Sequence, residues 1–331
     1  MPTMVIGFTW GYTSSMNLNH LQHFLAVAEN GSVRAAADAL GLSQPAVSKS
    51  VRLLESTLGV PLIQRGTRGS TLTAFGNALY SRARLIGNEL ERMTDELHQL
   101  AGTADGHVAL GTSATASFAL LPKALPAFRA ANPRVRVDVV GGLPNILLPQ
   151  LADGSLDLVV GPRPVQPMPA QVDSWKLFER PSVIAVRQGH PLEHARSLAS
   201  FADAEWVLNS CAGRAESSLQ AAFLAVGLKR LVIALHADSL FAAYTMIART
   251  DYVGVLPRAV VDEGITRDVL SVVEVPEFTA IDSIELFFRR NAPLSAAAIE
   301  LAAVLRREAQ RVRPRTADAT APRPTAQRVP A

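Results

Sequence analysis

A single cysteine, Cys211, serves all 331 residues, so the chain can build neither an internal disulfide nor a cysteine metal cluster. That scarcity fits a reducing cytoplasm, and Cys211 reads as an inert, partly buried thiol. Long apolar runs are missing too, since none approaches the roughly 18 consecutive residues that a membrane span needs. Residues 1–15 have no basic start and no small-residue cleavage site, so nothing in them marks export. Also absent are H-E-x-x-H, a P-loop, a dinucleotide fingerprint and G-x-S-x-G, to which GTSAT at 111–115 is the nearest approach. Two histidine pairs, His20 with His23 and His190 with His194, have no further ligands nearby in sequence, and Pro191 disturbs the second. The expectation is a soluble cytoplasmic protein with no enzymatic activity, no metal and no cofactor.

What is present begins with apolar content. Hydrophobic residues make up 48% of the chain, enough to bury two or three domain-sized cores. The net charge is only +3, but it is unevenly placed. Between residues 31 and 84 seven Lys or Arg stand against two Asp or Glu; over residues 107–305 the count is 17 against 19; from Arg306 onward it is seven against two. Positive ends on a nearly neutral centre are the electrostatic layout of a nucleic-acid-binding end joined to a body with another task.

Residues 1–15 carry no charge and no period and read as a disordered extension. From Asn17 the order improves. Leu21, Phe24, Leu25 and Ala28 share one helix face; Gly31 and Ser32 break it; Val33, Ala36, Ala37 and Leu40 form a second short helix ended by Gly41. In LSQPAVSKSVRLLE, residues 42–55, Ser43 suits an N-cap and Pro45 falls in the first turn, where a missing N–H costs nothing. Val47, Val51, Leu54 and Leu58 form the stripe to be buried. Ser48, Lys49 and Arg52 lie off that stripe, and Gln44 and Pro45 stand at the open end. A short helix, a glycine turn and a second helix with a polar outer face is a helix-turn-helix arrangement. Gln can contact adenine, Lys and Arg reach guanine or phosphate, and Ser hydroxyls serve either way. Taken alone, this face could equally be solvated surface. The following VPLIQRGTRGSTLT tilts the balance, because Gly66 and Gly69 suggest a tight turn that would carry Arg65 and Arg68 towards a phosphate backbone.

The stretch FLAVAENGSVRAAADALGLSQPAVSKSVRLLESTLGVPLIQRGTRGSTLTAFG, residues 24–76, strongly resembles the LysR-type family of bacterial transcriptional regulators. One departure is visible: where the family commonly has Leu-Thr-x-Ala-Gly, this chain has Leu72, Thr73, Ala74, Phe75 and Gly76. The resemblance implies a winged helix-turn-helix, a long linker helix through which the chain dimerises, and a two-lobed α/β effector-binding domain like a periplasmic binding protein.

The linker can also be argued from its own residues. Leu79, Ala83, Ile86, Leu90, Met93, Leu97 and Leu100 step by four and three, a period that favours helix pairing. Running from about Thr73 to Ala101, such a helix would be roughly 40 Å long. It would pair with a second copy or pack on its own chain.

Beyond residue 106, HVALG, LLPKALPAFRAA, VRVDVVGG, ILLPQLADG and LDLVVG alternate strand and helix, which implies a parallel sheet. A second set runs through SVIAVR, WVLNS, ESSLQAAFLAVGL, RLVIAL and SLFAAYTMIA. DYVGVLP, VVEV and SIELFFRR would add strands, and residues 295–311 a last helix. The domain boundaries read 1–15, 16–73, 74–105, 106–311 and a Pro- and Arg-rich tail, 312–331, expected to be disordered.

In open parallel sheets ligands gather at the carboxyl ends of strands. After HVALG come Thr112, Ser113, Thr115 and Ser117, four hydroxyls ahead of a helix that could hold an anion or simply cap it. The resemblance favours effector contact at Thr112, Ser113 and Thr115. By the same placement Gly142, Pro162, Arg163, Asn209, Ser210 and Ser239 join the effector set; Arg163 could pair with an anion or sit solvated in its loop.

The reading is a regulator that binds double-stranded promoter DNA as a dimer or tetramer, responds to a small molecule such as an organic acid or other anion, and engages RNA polymerase. Arg34, Arg65 and Arg68 would hold phosphates while Ser43, Gln44, Pro45, Ser48, Lys49 and Arg52 meet the bases. A solute-binding transport component and an enzyme carrying a DNA-binding end are the alternatives; the first lacks a signal peptide and the second a catalytic residue set.

Overall fold

The computed structural model describes residues 16–66, 69–100, 106–209, 213–228, 230–262, 269–290 and 292–312. Its first three helices, α1 (Leu18–Asn30), α2 (Val33–Leu40) and α3 (Gln44–Leu58), each start on a polar cap: Asn17, Ser32 and Ser43 accept the backbone N–H of Asn19, Ala35 and Ala46. Gly31 and Gly41 end the first two with left-handed backbones, φ 67° and 64°, which a side chain would strain. The sharp turns fold the three helices onto one core in which Phe24, Val27, Ala37, Val47, Val51 and Leu54 are buried.

The chain then forms an antiparallel hairpin, β1 (Ile63–Gly66) and β2 (Gly69–Leu72), in the register Ile63 to Leu72. Glu55 on α3 fixes its entrance: Oε1 accepts from the N–H of Leu62 at 2.8 Å and of Ile63 at 3.1 Å. Ser70 N–H donates to the Gly31 carbonyl at 2.8 Å, pinning the second strand to the α1–α2 turn. The long helix α4 (Ala74–Leu100) follows. Gly76 sits in its first turn because the backbone passes so close to Leu62 that a Cβ there would lie 2.1 Å from the Leu62 carbonyl oxygen. Phe75, the departure from the family pattern, is exposed.

The described residues divide into two compact units, one reaching to Gly106 and taking in Pro149–Leu156, the other holding His107–Leu148 and the chain from Asp157 onward. Within the first, the Arg84 side chain on α4 donates to Ser155 Oγ at 2.6 Å and lies 3.4 Å from Glu29 Oε1, while Arg92 donates to the Gly154 carbonyl at 2.6 Å.

The second unit opens with β3 (His107–Thr112), α5 (Ala114–Ala119), α6 (Leu121–Ala131), β4 (Arg136–Gly141), the start of α7 (Pro144–Ala152), whose end from Pro149 belongs to the first unit, and β5 (Leu158–Pro162). After them come β6 (Val172–Arg187), β7 (Glu205–Asn209), α8 (Gly213–Ala225), β8 (Val232–Ala237), α9 (Leu240–Arg249), β9 (Val253–Pro257), α10 (Arg258–Asp262), β10 (Leu270–Val273), β11 (Ala280–Arg289) and α11 (Ala296–Ala309). Strands β4, β3 and β5 are parallel neighbours, as are β8, β7 and β9, which accounts for the two alternating sets legible in sequence.

The expected parallel pairing holds within each set, but the strands that join the sets are antiparallel. β6 and β11 pair antiparallel with each other over most of their length, and they join the two sets by pairing with β9 and β5 respectively. The sheet order is therefore β4-β3-β5-β11-β6-β9-β7-β8, with β10 beside β6. The first half of β6, VDSWKLFER, is too rich in charge to show a strand's apolar signature; its pairing with β11 supplies what its own sequence does not. Two lobes result. One core holds Leu110, Phe128, Leu158, Leu286 and Leu301; the other is built around Phe201, Trp206 and Phe223, with a further cluster under α9 at Ile247 and Leu256.

Candidate functional site

On α3 the apolar stripe and the polar face are separated cleanly. Val47, Val51 and Leu54 are buried, whereas Ser43, Gln44, Pro45, Lys49 and Arg52 are exposed and Ser48 is half-buried. Among the described residues no carboxylate pairs with Lys49 or Arg52, so both ammonium and guanidinium groups are available to an anionic partner. Arg34 is exposed at the start of α2. Arg65 lies in β1 with its side chain outside the described atoms, and Arg68 lies outside the described residues. Because Glu55 and Ser70 anchor the hairpin to α3 and to the α1–α2 turn, hairpin and helix are held as one surface. Such a face, with Gln, Ser and two cations on a helix braced by a buried stripe, can enter a major groove and meet base edges and phosphates together.

The second unit contains a cleft of about 570 Å3 between its lobes, within the size range of small-molecule sites. Thr112, Ser113, Thr115, Gly142, Pro162 and Ser239 all line it. The lobe I loop is internally organised. Ser113 caps α5 by accepting from Ala116 N–H at 3.3 Å, and its own N–H donates to the Val160 carbonyl at 2.8 Å. Helix α5 thus starts at Ala114, one turn earlier than the four-hydroxyl reading implies, and Thr115 and Ser117 sit inside it. Thr112 Oγ1 and Ser117 Oγ each donate to the Ser113 carbonyl, at 3.1 and 3.0 Å. Thr115 is 7% exposed, and its hydroxyl has no hydrogen-bond partner among the described residues. Gly142 and Gly161 allow the strand ends to close up: a Cβ on the first would meet Leu147 Cδ2 at 3.1 Å and on the second Ser113 Cβ at 3.3 Å.

Other predicted contacts fall elsewhere. Arg163 does not line the cleft; its Nη1 donates to Glu285 Oε2 at 2.9 Å, and Ser174 Oγ donates to the same oxygen at 2.6 Å. Glu285 is buried, and a buried carboxylate without a partner costs several kcal/mol, so the Arg163 guanidinium here serves that carboxylate. Asn209 ends β7 with its side chain outside the described atoms, and Ser210 and Cys211 lie outside the described residues. Of the histidine pairs, His190 has both ring nitrogens engaged by backbone, Nδ1 accepting from Leu192 N–H and Nε2 donating to the Asp251 carbonyl. His23 has a lowered pKa because burial, and then His20, disfavour its charge.

Sequence reasoning missed Phe118, Ser182, Asp238, Phe241, Tyr244 and Asp282, all on the cleft wall. Asp238 had a local signal, since it directly precedes the cap residue Ser239. Phe241 and Tyr244 follow on α9 at helical spacing, with ring centroids 6.3 Å apart. Ser182 and Asp282 had none: they are a hundred positions apart and meet only because β6 pairs with β11, Ser182 Oγ donating to Asp282 Oδ2 at 3.1 Å.

Comparison with known proteins places both units. Residues 18–77 match the bacterial regulatory helix-turn-helix protein, lysR family, and residues 101–310 match the LysR substrate binding domain. The chain is similar to the SDS degradation transcriptional activation protein of a Pseudomonas species, 33% identical over 262 residues that cover 78% of this chain and 85% of that one. To the HTH-type transcriptional regulator GbpR of Azospirillum brasilense it is 26% identical over 300 residues, 90% of this chain and 88% of the other. The crystal structure of CbnR, a LysR family transcriptional regulator, shares the fold with a TM-score of 0.67 at 22% identity, covering 89% of this chain and 99% of that chain. Full-length CbnR complexed with its target DNA gives 0.65 at 22% identity, over 88% and 100%.

Proposed function

The chain belongs to the LysR family of bacterial transcriptional regulators, and from that premise we propose that a small molecule in the cleft resets how paired copies of the N-terminal unit sit on promoter DNA. The observation that carries this reading is the pairing, in one chain, of an exposed Gln44–Lys49–Arg52 face with a lobed cleft whose wall includes the nine-tenths-buried Thr115. Arg34 and the wing arginines Arg65 and Arg68 hold phosphates; Ser43, Gln44, Pro45, Ser48, Lys49 and Arg52 approach the bases. The effector sits against Thr112, Ser113, Thr115, Gly142, Pro162 and Ser239. It shifts the lobes only if it binds their two arrangements with different affinity, and that difference is the coupling energy available at the DNA.

Self-association through α4 is the second part. Ile86, Met93 and Leu97 lie on its heptad stripe and are 43%, 52% and 59% exposed in the single chain, a row that a second copy would cover. A dimer or tetramer would present paired recognition helices to a partly palindromic site and meet RNA polymerase on the same promoter. Such a protein works in the cytoplasm, without catalysis and with no cofactor beyond its effector. No helix among the described residues is long and apolar enough to cross a membrane.

The test is salt-dependent binding to the DNA flanking its own gene. Lys49 and Arg52 bring two cations per recognition helix into the groove as they approach the bases, so replacing both by Ala should weaken promoter binding and lower the slope of log affinity against log salt. An unchanged affinity and slope would remove the DNA assignment of α3.

A further inference from the structure

Hydrogen-bond accounting in the cleft bears on the class of its ligand. A hydroxyl has one proton to donate. Thr112 and Ser117 spend theirs on the Ser113 carbonyl or on each other, and Ser182 spends its proton on Asp282. What these three turn towards a ligand is therefore lone pairs, whereas Ser113 and Ser239, which accept from the N–H of Ala116 and Ala242, keep a proton to donate. Asp238 and Asp282 add two carboxylates, which as anions only accept. Asp282 already receives Ser182, whereas Asp238 has no ion pair or hydrogen bond to any described residue. Its position one residue before the cap of α9 sets a negative charge where the helix start would otherwise favour an anion. The unengaged hydroxyl of the nine-tenths-buried Thr115 opens on the same space.

The rest of the wall is apolar and aromatic. Phe118 contributes from lobe I, Phe241 and Tyr244 from α9. Phe241 is 73% exposed, an unusual state for a phenylalanine on a cavity wall, and its ring stands beside that of Tyr244. Flat rings of this kind hold another ring by offset or edge contact and attract a cation to their faces.

We infer that the cleft takes an aryl-bearing amine, its ring lodged among Phe118, Phe241 and Tyr244 and its ammonium directed to Asp238; this rests on the reading of the cleft as the effector site. It replaces the organic acid expected from the hydroxyl-rich loop, because Asp238 and Asp282 set two carboxylates on the same wall, where an acid would meet like charge.

Three probes of one shape separate the possibilities: phenethylamine, 2-phenylethanol and 3-phenylpropionate, titrated calorimetrically into the full chain, with thermal unfolding alongside. Phenethylamine should bind and raise the unfolding temperature, with 2-phenylethanol weaker and 3-phenylpropionate weakest. Asp238→Asn should weaken phenethylamine by about tenfold while leaving 2-phenylethanol within about twofold, because only the amine loses a charge partner. Phe241→Ala should weaken both. Promoter binding without ligand, measured on each variant, checks that it is folded. Tighter binding of 3-phenylpropionate than of phenethylamine, an amine preference that survives Asp238→Asn, or no binding of any probe at about 10 mM overturns the inference. If 3-phenylpropionate binds and Phe241→Ala weakens it, the cleft stands as the effector site and the amine assignment alone falls. If a probe binds and no cleft substitution alters its affinity, the effector reading of the cleft falls as well.

Discussion

Glu55 joins the recognition helix to the wing through a single oxygen, and its removal has a calculable consequence. In Glu55→Ala the N–H groups of Leu62 and Ile63 lose their acceptor. A buried donor left unpaired costs about 1–3 kcal/mol. Leu62 is buried and should contribute near the top of that range; Ile63, half-buried at the start of β1, can recruit water and should contribute near the bottom. The sum is about 2–4 kcal/mol. For a unit of this size each kcal/mol lowers the midpoint by about 4–8 °C, so the N-terminal transition should fall by roughly 8–32 °C. Glu55→Gln keeps a neutral oxygen acceptor and should lose only about 1 kcal/mol, the difference between a charge-assisted and an ordinary bond. Thermal unfolding followed by circular dichroism measures both, and promoter binding at 20–25 °C should weaken more in the Ala variant because the wing is no longer held to α3. Equal midpoints for the two variants, or an Ala variant within about 0.5 kcal/mol of the parent, would refute the claim that Glu55 positions the wing.

Three further outcomes follow from the geometry. Gly76→Ala places a methyl 2.1 Å from the Leu62 carbonyl oxygen, so the start of α4 must move at a cost of about 3 kcal/mol; a melting temperature equal to the parent's would contradict that contact. Leu97→Glu puts a charge into the exposed heptad stripe and should shift sedimentation towards monomer, while Glu91→Lys on the same helix should not; an unchanged oligomer would place self-association elsewhere. Glu193 is held below the ordinary glutamate pKa, first by the Ser271 hydroxyl and then by the Gly189 N–H. A depressed carboxylate stabilises the fold above its unfolded pKa and loses that contribution as pH falls through the folded one. Acid unfolding of Glu193→Gln should therefore be less steep below the ordinary glutamate range than the parent's, and identical acid profiles would deny the carboxylate that role.

The helices and their ends were legible early because their causes are local. Asn17, Ser32 and Ser43 reach N–H groups two or three residues away, and the stripe of Val47, Val51 and Leu54 repeats within one helix. The long α4 and the two parallel strand sets were equally readable, since period and alternation are properties of short windows. The cleft was half readable. Its strand-end hydroxyls and Ser239 could be placed by topology, but Thr112 and Ser117 turned out to have committed their protons to Ser113 or to each other, which inverts what they offer a ligand.

What the sequence alone determined, then, is the architecture and the donor-rich face of α3, because periodicity, caps and glycine turns act over a few residues. Only tertiary structure decided the character of the cleft. The antiparallel pairing of β6 with β11 brings Ser182 to Asp282 across a hundred residues of chain, and the same long-range packing turns Arg163 to Glu285 and puts Asp238 and Phe241 on the wall. Local patterns carry no record of which distant group consumes a donor or a charge, and that pairing sets which polarity is left for a ligand.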